Sequence, residues 1–252
     1  MYTCINCGIE VEELYRRYSP SVLKVLKCGN CGNLADKYIE YDPVIVLVDL
    51  VLLEKPAYRH LLYNSNFQSY WKLMVVLLLG ESFRAWSIFK NYKIDQDLDD
   101  HQNYLESNKF DSERSFYILL AHTALSLGAF ILAMIISTEI RWLIMGVRPH
   151  KYKISDLFHA LIVGGCAKLL GLLGVIWQYV APELFYVLIH GYTMLCLLTA
   201  YSVICESGRT GSLIGLSSGL IAYNYVSNLI SWFPLIITNT TETAQYESIK
   251  TT

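Results

Sequence analysis

The sequence predicts an all-α polytopic membrane bundle of about five transmembrane helices behind a small N-terminal β domain. Two observations carry this reading. Apolar residues make up 54% of the 252-residue chain and charged residues only 17%, against roughly 45–50% and 25% in soluble domains. The surplus falls in long runs after residue 70. The second observation is that four of the seven cysteines crowd into the first 31 residues as two tight pairs. A net charge of −2 without a basic stretch argues against a nucleic-acid protein.

Residues 1–42 form the β domain. So few residues rarely build a stable core without a metal or disulfides. Cys4-x2-Cys7 and Cys28-x2-Cys31 are separated by twenty residues. Two CxxC pairs at this distance have zinc-ribbon spacing, because each pair turns both sulfurs toward one ion. Gly8 and Gly32 follow the second cysteine of each pair, and Gly29 lies inside the second. They let the turns close with backbone N–H groups aimed at sulfur. Cys4, Cys7, Cys28 and Cys31 are therefore expected to hold a structural zinc with a closed shell. Two disulfides, unbound thiols or an iron–sulfur cluster are the alternatives. Cys166, Cys196 and Cys205 lie in or beside apolar runs and read as small core residues. The polar first residues do not look like a cleavable signal peptide, so the N-terminus is expected in a reducing compartment. Lys37–Tyr41 is rich in strand formers and is expected to pair with the other cysteine hairpin.

Residues 43–69 form a connecting segment. PVIVLVDLVLL at 43–53 is too short to cross a bilayer. It is expected to pack on the ribbon or lie in the membrane interface. Pro56 can start a helix in which Lys55, Arg59 and His60 flank Tyr58, Leu61 and Leu62. That mixture suits a membrane surface, or a helix packed on the ribbon.

The bundle occupies 70–237, with spans expected near 71–89, 116–137, 157–179, 184–205 and 211–233, and a polar tail at 238–252. The first span is the weakest, because Lys72, Glu81 and Arg84 interrupt it. Glu81 and Arg84 can pair on one helix face, and an amphipathic surface helix is the alternative. Arg141, Arg148, Lys151 and Lys153 cluster between the second and third spans. The positive-inside rule then puts that loop and the N-terminus in the cytosol. Five spans would leave the tail, with its sequon at Asn239, on the lumenal side, whereas four would make it cytosolic.

Other features are weighed against plainer readings. Lys168 sits mid-span, where an ionisable group points to a lipid or partner contact, or to a lysine satisfied inside the bundle. Gly211, Gly215 and Gly219 repeat every four residues and suit close helix packing. Ser217, Asn224, Asn228 and Ser231 form a polar stripe, which either joins helices or guides a lipid. Gly215-Leu-Ser-Ser-Gly219 matches a nucleophile-elbow pattern but lacks its strand–turn–helix context. Asp95, Asp97, Asp99 and Glu106 match four positions of a calcium loop, yet its glycine is replaced by Asp100. A solvated acidic loop is the plainer reading. His122, His159 and His190 read as satisfied core histidines.

Several blocks resemble a known family. Cys4-Ile-Asn-Cys7-Gly8, Cys28-Gly-Asn-Cys31-Gly32, Asp36-Lys-Tyr38-Ile-Glu-Tyr41, Val48-Asp49-Leu-Val-Leu-Leu53 and Tyr58-Arg-His-Leu-Leu-Tyr63-Asn64 together look like the homology domain of the Arv family (ACAT-related protein required for viability). The resemblance covers residues 1–64. It implies an endoplasmic-reticulum membrane protein of lipid homeostasis, connected with sterols, sphingolipids and an early step of glycosylphosphatidylinositol (GPI) anchor synthesis. It supplies no catalytic residues, and no enzyme is expected. Two functions compete. The bundle binds or moves a lipid, such as a sterol or GPI intermediate, along a path bordered by Lys168, Ser217, Asn224 and Asn228. Alternatively, the chain is a non-catalytic accessory subunit of the glycosyltransferase that initiates GPI synthesis, and docks through its ribbon and glycine face.

Overall fold

The computed structural model describes residues 2–19, 22–65, 67–97, 107–146, 152–176, 182–205 and 211–230. The N-terminal module is built from short antiparallel pairs around the cysteine turns. β1 (Tyr2–Thr3) pairs with β2 (Glu10–Val11) on either side of the first turn. A Lys27–Leu34 bridge does the same around the second. Between them, β3 (Tyr15–Ser19) and β4 (Val22–Val25) form a hairpin in the register Tyr15–Val25, Arg16–Lys24 and Arg17–Leu23.

Lys37–Tyr41 does not add a strand. Lys37–Ile39 is a single 3₁₀ turn. The Asp36 side chain caps it by accepting the Tyr38 N–H at 3.0 Å, and Tyr38 is buried with Ile5 and Ala57. A capped turn with a buried aromatic overrides strand propensity here.

α1 (Pro43–Val51) starts where Asp42 accepts the Val44 N–H at 3.0 Å and Pro43 occupies the first turn. Val46 and Leu50 pack on the ribbon core, while Val44, Leu47, Val48, Val51 and Leu52 are exposed. One face thus packs on the ribbon as expected, and the other presents exposed apolar side chains. The helix ends with Leu53 in the left-handed region at φ 64°. Leu53 N–H donates to Leu50 O and Glu54 N–H to Asp49 O, the Schellman pattern with leucine where glycine is usual. α2 (Lys55–Arg59) carries Pro56 in its first turn and runs into a π turn at His60–Asn64. The long helices follow: α3 (Tyr70–Asp97), α4 (Ser107–Met145), α5 (Ile154–Gly165), α6 (Gly171–Ile176), α7 (Pro182–Cys205) and α8 (Gly211–Ile230). A 3₁₀ turn at Cys166–Leu170 joins α5 to α6.

Among the described residues, four helices are long and apolar enough to cross a membrane: Glu113–Ile144, Ile154–Val175, Leu184–Cys205 and Gly211–Ile230. The stretch expected as a fifth is helical in α3 but falls short of this. Its charges do what their spacing allows: Arg84 donates to Glu81 at 2.9 Å.

The chain divides into two compact units. The first holds residues 1–77, 147–174 and 178–213, so the ribbon, α1, α2, α5 and α7 belong together. α5 packs along α7, closely enough that a Cβ on Gly164 would lie 3.0 Å from the Leu197 Cα. Tyr70 stacks on His159 with ring centroids 3.9 Å apart. The Tyr192 hydroxyl reaches from α7 to the Val51 carbonyl at the end of α1, at 2.7 Å. The second unit holds residues 78–146, 175–177 and 214–252. In it, His122 of α4 contacts the Ser227 carbonyl of α8 at 3.2 Å. A Cβ on Gly219 would lie 2.9 Å from Met134 and Phe130.

Candidate metal centre and apolar cavity

The two CxxC turns are built alike. Gly8 N–H donates to Cys4 O and Gly32 N–H to Cys28 O, both at 2.9 Å. Each of these glycines has positive φ, 81° and 72°, which a side chain would strain. Cys4 N–H donates to Ile9 O and Cys28 N–H to Asn33 O, closing each loop. The four sulfurs converge within 4.8 Å of one another. Across the turns Cys4 lies 3.8 Å from Cys31, and Cys7 3.7 Å from Cys28. A regular tetrahedron with metal–sulfur bonds of about 2.3 Å has edges of ~3.8 Å. All four are free cysteines. The residues therefore fit a four-thiolate shell around one metal ion.

The thiols are not equivalent. Burial pushes Cys4 up to about 11. The backbone N–H groups of Cys31 and Asn30 pull Cys28 down to about 6. Those of Ile9 act in the same direction on Cys7. N–H donors around sulfur stabilise thiolate, the form that binds metal.

Beside the sulfurs lies a polar hub that spacing alone did not reveal. Asp36 is fully buried. Its carboxylate accepts the Tyr38 N–H at 3.0 Å, Asn64 Nδ2 at 2.7 Å and His60 Nδ1 at 2.7 Å. Asn64 also exchanges hydrogen bonds with the Thr3 backbone at 2.8 and 2.9 Å. Arg59 donates to Ile5 O and Asn6 O at 2.9 and 2.7 Å, inside the first cysteine turn. The Tyr38 hydroxyl donates to Asp49 at 2.7 Å, and burial together with that carboxylate raises Tyr38 well above the ordinary phenol range. Helix 55–64 is thus clamped to the ribbon, as one of its two expectations has it.

Next to the hub, a cavity of about 560 Å³ opens within the same compact unit. α1 contributes Val46 and Leu50, the bent α5–α6 segment Val163, Cys166, Ala167 and Leu170. The last four repeat at helical spacing and form one stripe. Tyr58, His60, Tyr192 and Cys196 also border it. The volume lies inside the roughly 300–1,000 Å³ typical of small-molecule sites.

The other expected residues are placed as follows. Lys168 is half-buried at the centre of the 3₁₀ turn and does not line the cavity. It belongs to one compact unit, while Ser217, Asn224 and Asn228 belong to the other. Ser217 donates to Ile214 O of its own helix at 2.9 Å. Gly215 and Gly219 are buried and Gly211 half-buried. His190 stacks on Tyr186. The calcium-loop positions Asp99, Asp100 and Glu106, Ser231, the sequon at Asn239 and the tail lie outside the described residues.

The Arv1-like family model matches residues 3–201. The chain belongs to the Arv1-like family. Family relatives include Protein ARV1 of Bos taurus, 36% identical over 198 residues and 78% of this chain. The match spans 63% of the bovine protein's length, so this chain covers under two thirds of that relative. Protein ARV1 of Mus musculus is 31% identical over 90% of this chain and 82% of its own length. Protein ARV 1 of Arabidopsis thaliana is 28% identical over 74% and 72%. No solved structure matches the chain. The matched region runs through both the ribbon and the following helices as far as residue 201.

Proposed function

We propose that this Arv1-like chain is an endoplasmic-reticulum membrane protein of lipid homeostasis that binds or moves a membrane lipid, a sterol or a GPI intermediate. The observation that carries it is the 560 Å³ apolar cavity bordered by the membrane-crossing helices 154–175 and 184–205. A cavity of that lining, beside hydrocarbon, selects for an apolar ligand. In this reading Cys4, Cys7, Cys28 and Cys31 hold a structural zinc that supplies cross-linking and no open coordination position. The ribbon faces the cytosol, in keeping with thiolate ligands in a reducing compartment. Four membrane-length helices among the described residues support a tail on the same, cytosolic side in this reading. The chain contributes no catalysis of its own.

A second reading, the accessory subunit of a GPI-initiating glycosyltransferase, is favoured by the β3–β4 hairpin, which leaves Tyr15, Arg16, Arg17 and Tyr18 exposed. The glycine face is a weaker docking surface, because Gly219 already packs on Phe130 and Met134. Purification in mild detergent, with mass spectrometry of bound lipid and protein, separates the two. The lipid reading expects one enriched lipid class on an otherwise lone chain. Stoichiometric glycosyltransferase subunits without enriched lipid would overturn it.

A further inference from the structure

Among the described residues, the cavity wall contains no lysine, arginine, aspartate or glutamate. A charged headgroup buried there would find no oppositely charged side chain on the wall, which disfavours it. Most of the wall's hydroxyls are already engaged. Tyr38 donates to Asp49, Tyr58 to Leu50 O, Ser65 to Leu61 O and Tyr192 to Val51 O.

His60 differs from them. Its Nδ1 donates to the buried Asp36 carboxylate, which two further donors hold as an acceptor. In the neutral imidazole that bond places the proton on Nδ1 and leaves the Nε2 lone pair as an acceptor. Among the described residues, Nε2 has no hydrogen-bond partner. His60 itself lines the cavity and keeps 15% side-chain exposure. An acceptor held rigidly at the edge of an uncharged apolar space recognises an O–H group on an apolar body.

We propose that this cavity is a binding site for an uncharged membrane lipid alcohol, whose hydroxyl donates to His60 Nε2 while its hydrocarbon lies against Val46, Leu50, Val163, Ala167 and Leu170. The proposal rests on the lipid-binding reading above and adds the site, the anchoring residue and the headgroup. Asp36 is a positioning residue: it orients the imidazole and does not touch the ligand. The lipid is the fitting occupant because helices 154–175 and 184–205, which build much of the wall, have the length and apolarity to sit in bilayer.

The test uses the full chain in phosphatidylcholine nanodiscs and three diazirine-bearing probes: a long-chain alcohol, its methyl ether and its phosphate monoester. After photolysis, labelled peptides are mapped by mass spectrometry. The alcohol should label peptides containing Leu61, Cys166 and Leu170. The methyl ether, which cannot donate, should compete about three- to tenfold less well, the scale of one net hydrogen bond. His60→Asn retains an amide donor for Asp36 but lacks Nε2. It should lower alcohol labelling to the methyl-ether level and leave methyl-ether labelling unchanged. If that variant misfolds, the alcohol-to-ether ratio on the unaltered protein decides alone. Equal labelling by alcohol and ether would remove the anchor, and preference for the phosphate would overturn the headgroup class. In both cases the cavity would still hold lipid, so the broader reading would stand. No cavity labelling by any probe would overturn both.

Discussion

The cysteine-bearing module at 2–65 and the α4–α8 pair of the second unit are held together by different kinds of interaction. In the module, buried polar groups find partners far away in sequence: Asp36 with His60 and Asn64, Arg59 with Ile5 and Asn6, and four sulfurs with one another. In the α4–α8 pair, hydroxyls mostly return to their own helix. Thr123 donates to Leu119 O, Thr138 to Met134 O and Ser218 to Gly215 O. Apolar packing does the rest, as at Gly219. The difference shows which substitutions each region tolerates. The module depends on individual groups in fixed positions, and the helices on a pattern of size and polarity.

The sharpest way to break that contrast is Cys28→Ser. If zinc occupies the sulfurs, its binding is worth about 10–16 kcal/mol to so small a domain. The variant should lose metal, read by elemental analysis, and become protease-sensitive before residue 65, while circular dichroism keeps the helical signal. Retained metal and an intact ribbon would sink the four-thiolate assignment.

Asp36→Ala comes next. It leaves the buried Tyr38 N–H and the half-buried His60 Nδ1 and Asn64 Nδ2 without their acceptor, at up to about 1–3 kcal/mol for each orphaned group. The expected result is lower thermal stability of the module with metal content intact at low temperature, measured by limited proteolysis against temperature. A variant as stable as the parent would show that the hub is not holding the module.

Within the helices the effects should be smaller and depend on volume. Gly164→Ala and Gly219→Ala each introduce a Cβ at 3.0 or 2.9 Å from a neighbour. Overpacking of this kind costs about 1–3 kcal/mol, and less at Gly219, where the flexible Met134 can give way, than at Gly164, where the Leu197 backbone cannot. Gly128→Ala, with nothing within 4 Å, should gain helix propensity and lose nothing. Thermal denaturation in one detergent ranks the three.

The smallest expected change is a gain. Leu53→Gly removes the left-handed strain that closes α1 and should stabilise the module by about 1 kcal/mol. Destabilisation would mean that the Leu53 side chain holds the module more than its backbone strains it.

What could be read from residues alone was local. The CxxC pairs, the glycines after them, the Asp42–Pro43 helix start, Pro56 in the next helix, the Glu81–Arg84 pair and the apolar runs all act across a few neighbouring positions. Their partners lie on the same turn or one turn away, where chain geometry leaves little choice. Lys37–Tyr41 shows the limit of such reading, since its strand propensity yields to a cap and a buried ring.

The tertiary structure decided the rest. Asp36 meets His60 across 24 residues and Asn64 across 28, and Tyr192 reaches Val51 across 141. No periodicity or spacing encodes these pairs, because each depends on how separate elements fold back on one another. The cavity is of the same kind. Its wall gathers side chains from the ribbon, α1, α2 and two membrane-length helices, each of which reads in sequence as ordinary apolar packing. The sequence by itself determined that the chain is a four-cysteine ribbon module, able to hold a metal, followed by membrane-length helices, because those properties are set by composition and short-range geometry. Only the folded chain determined that the module packs with α5 and α7 around an apolar cavity with His60 at its edge.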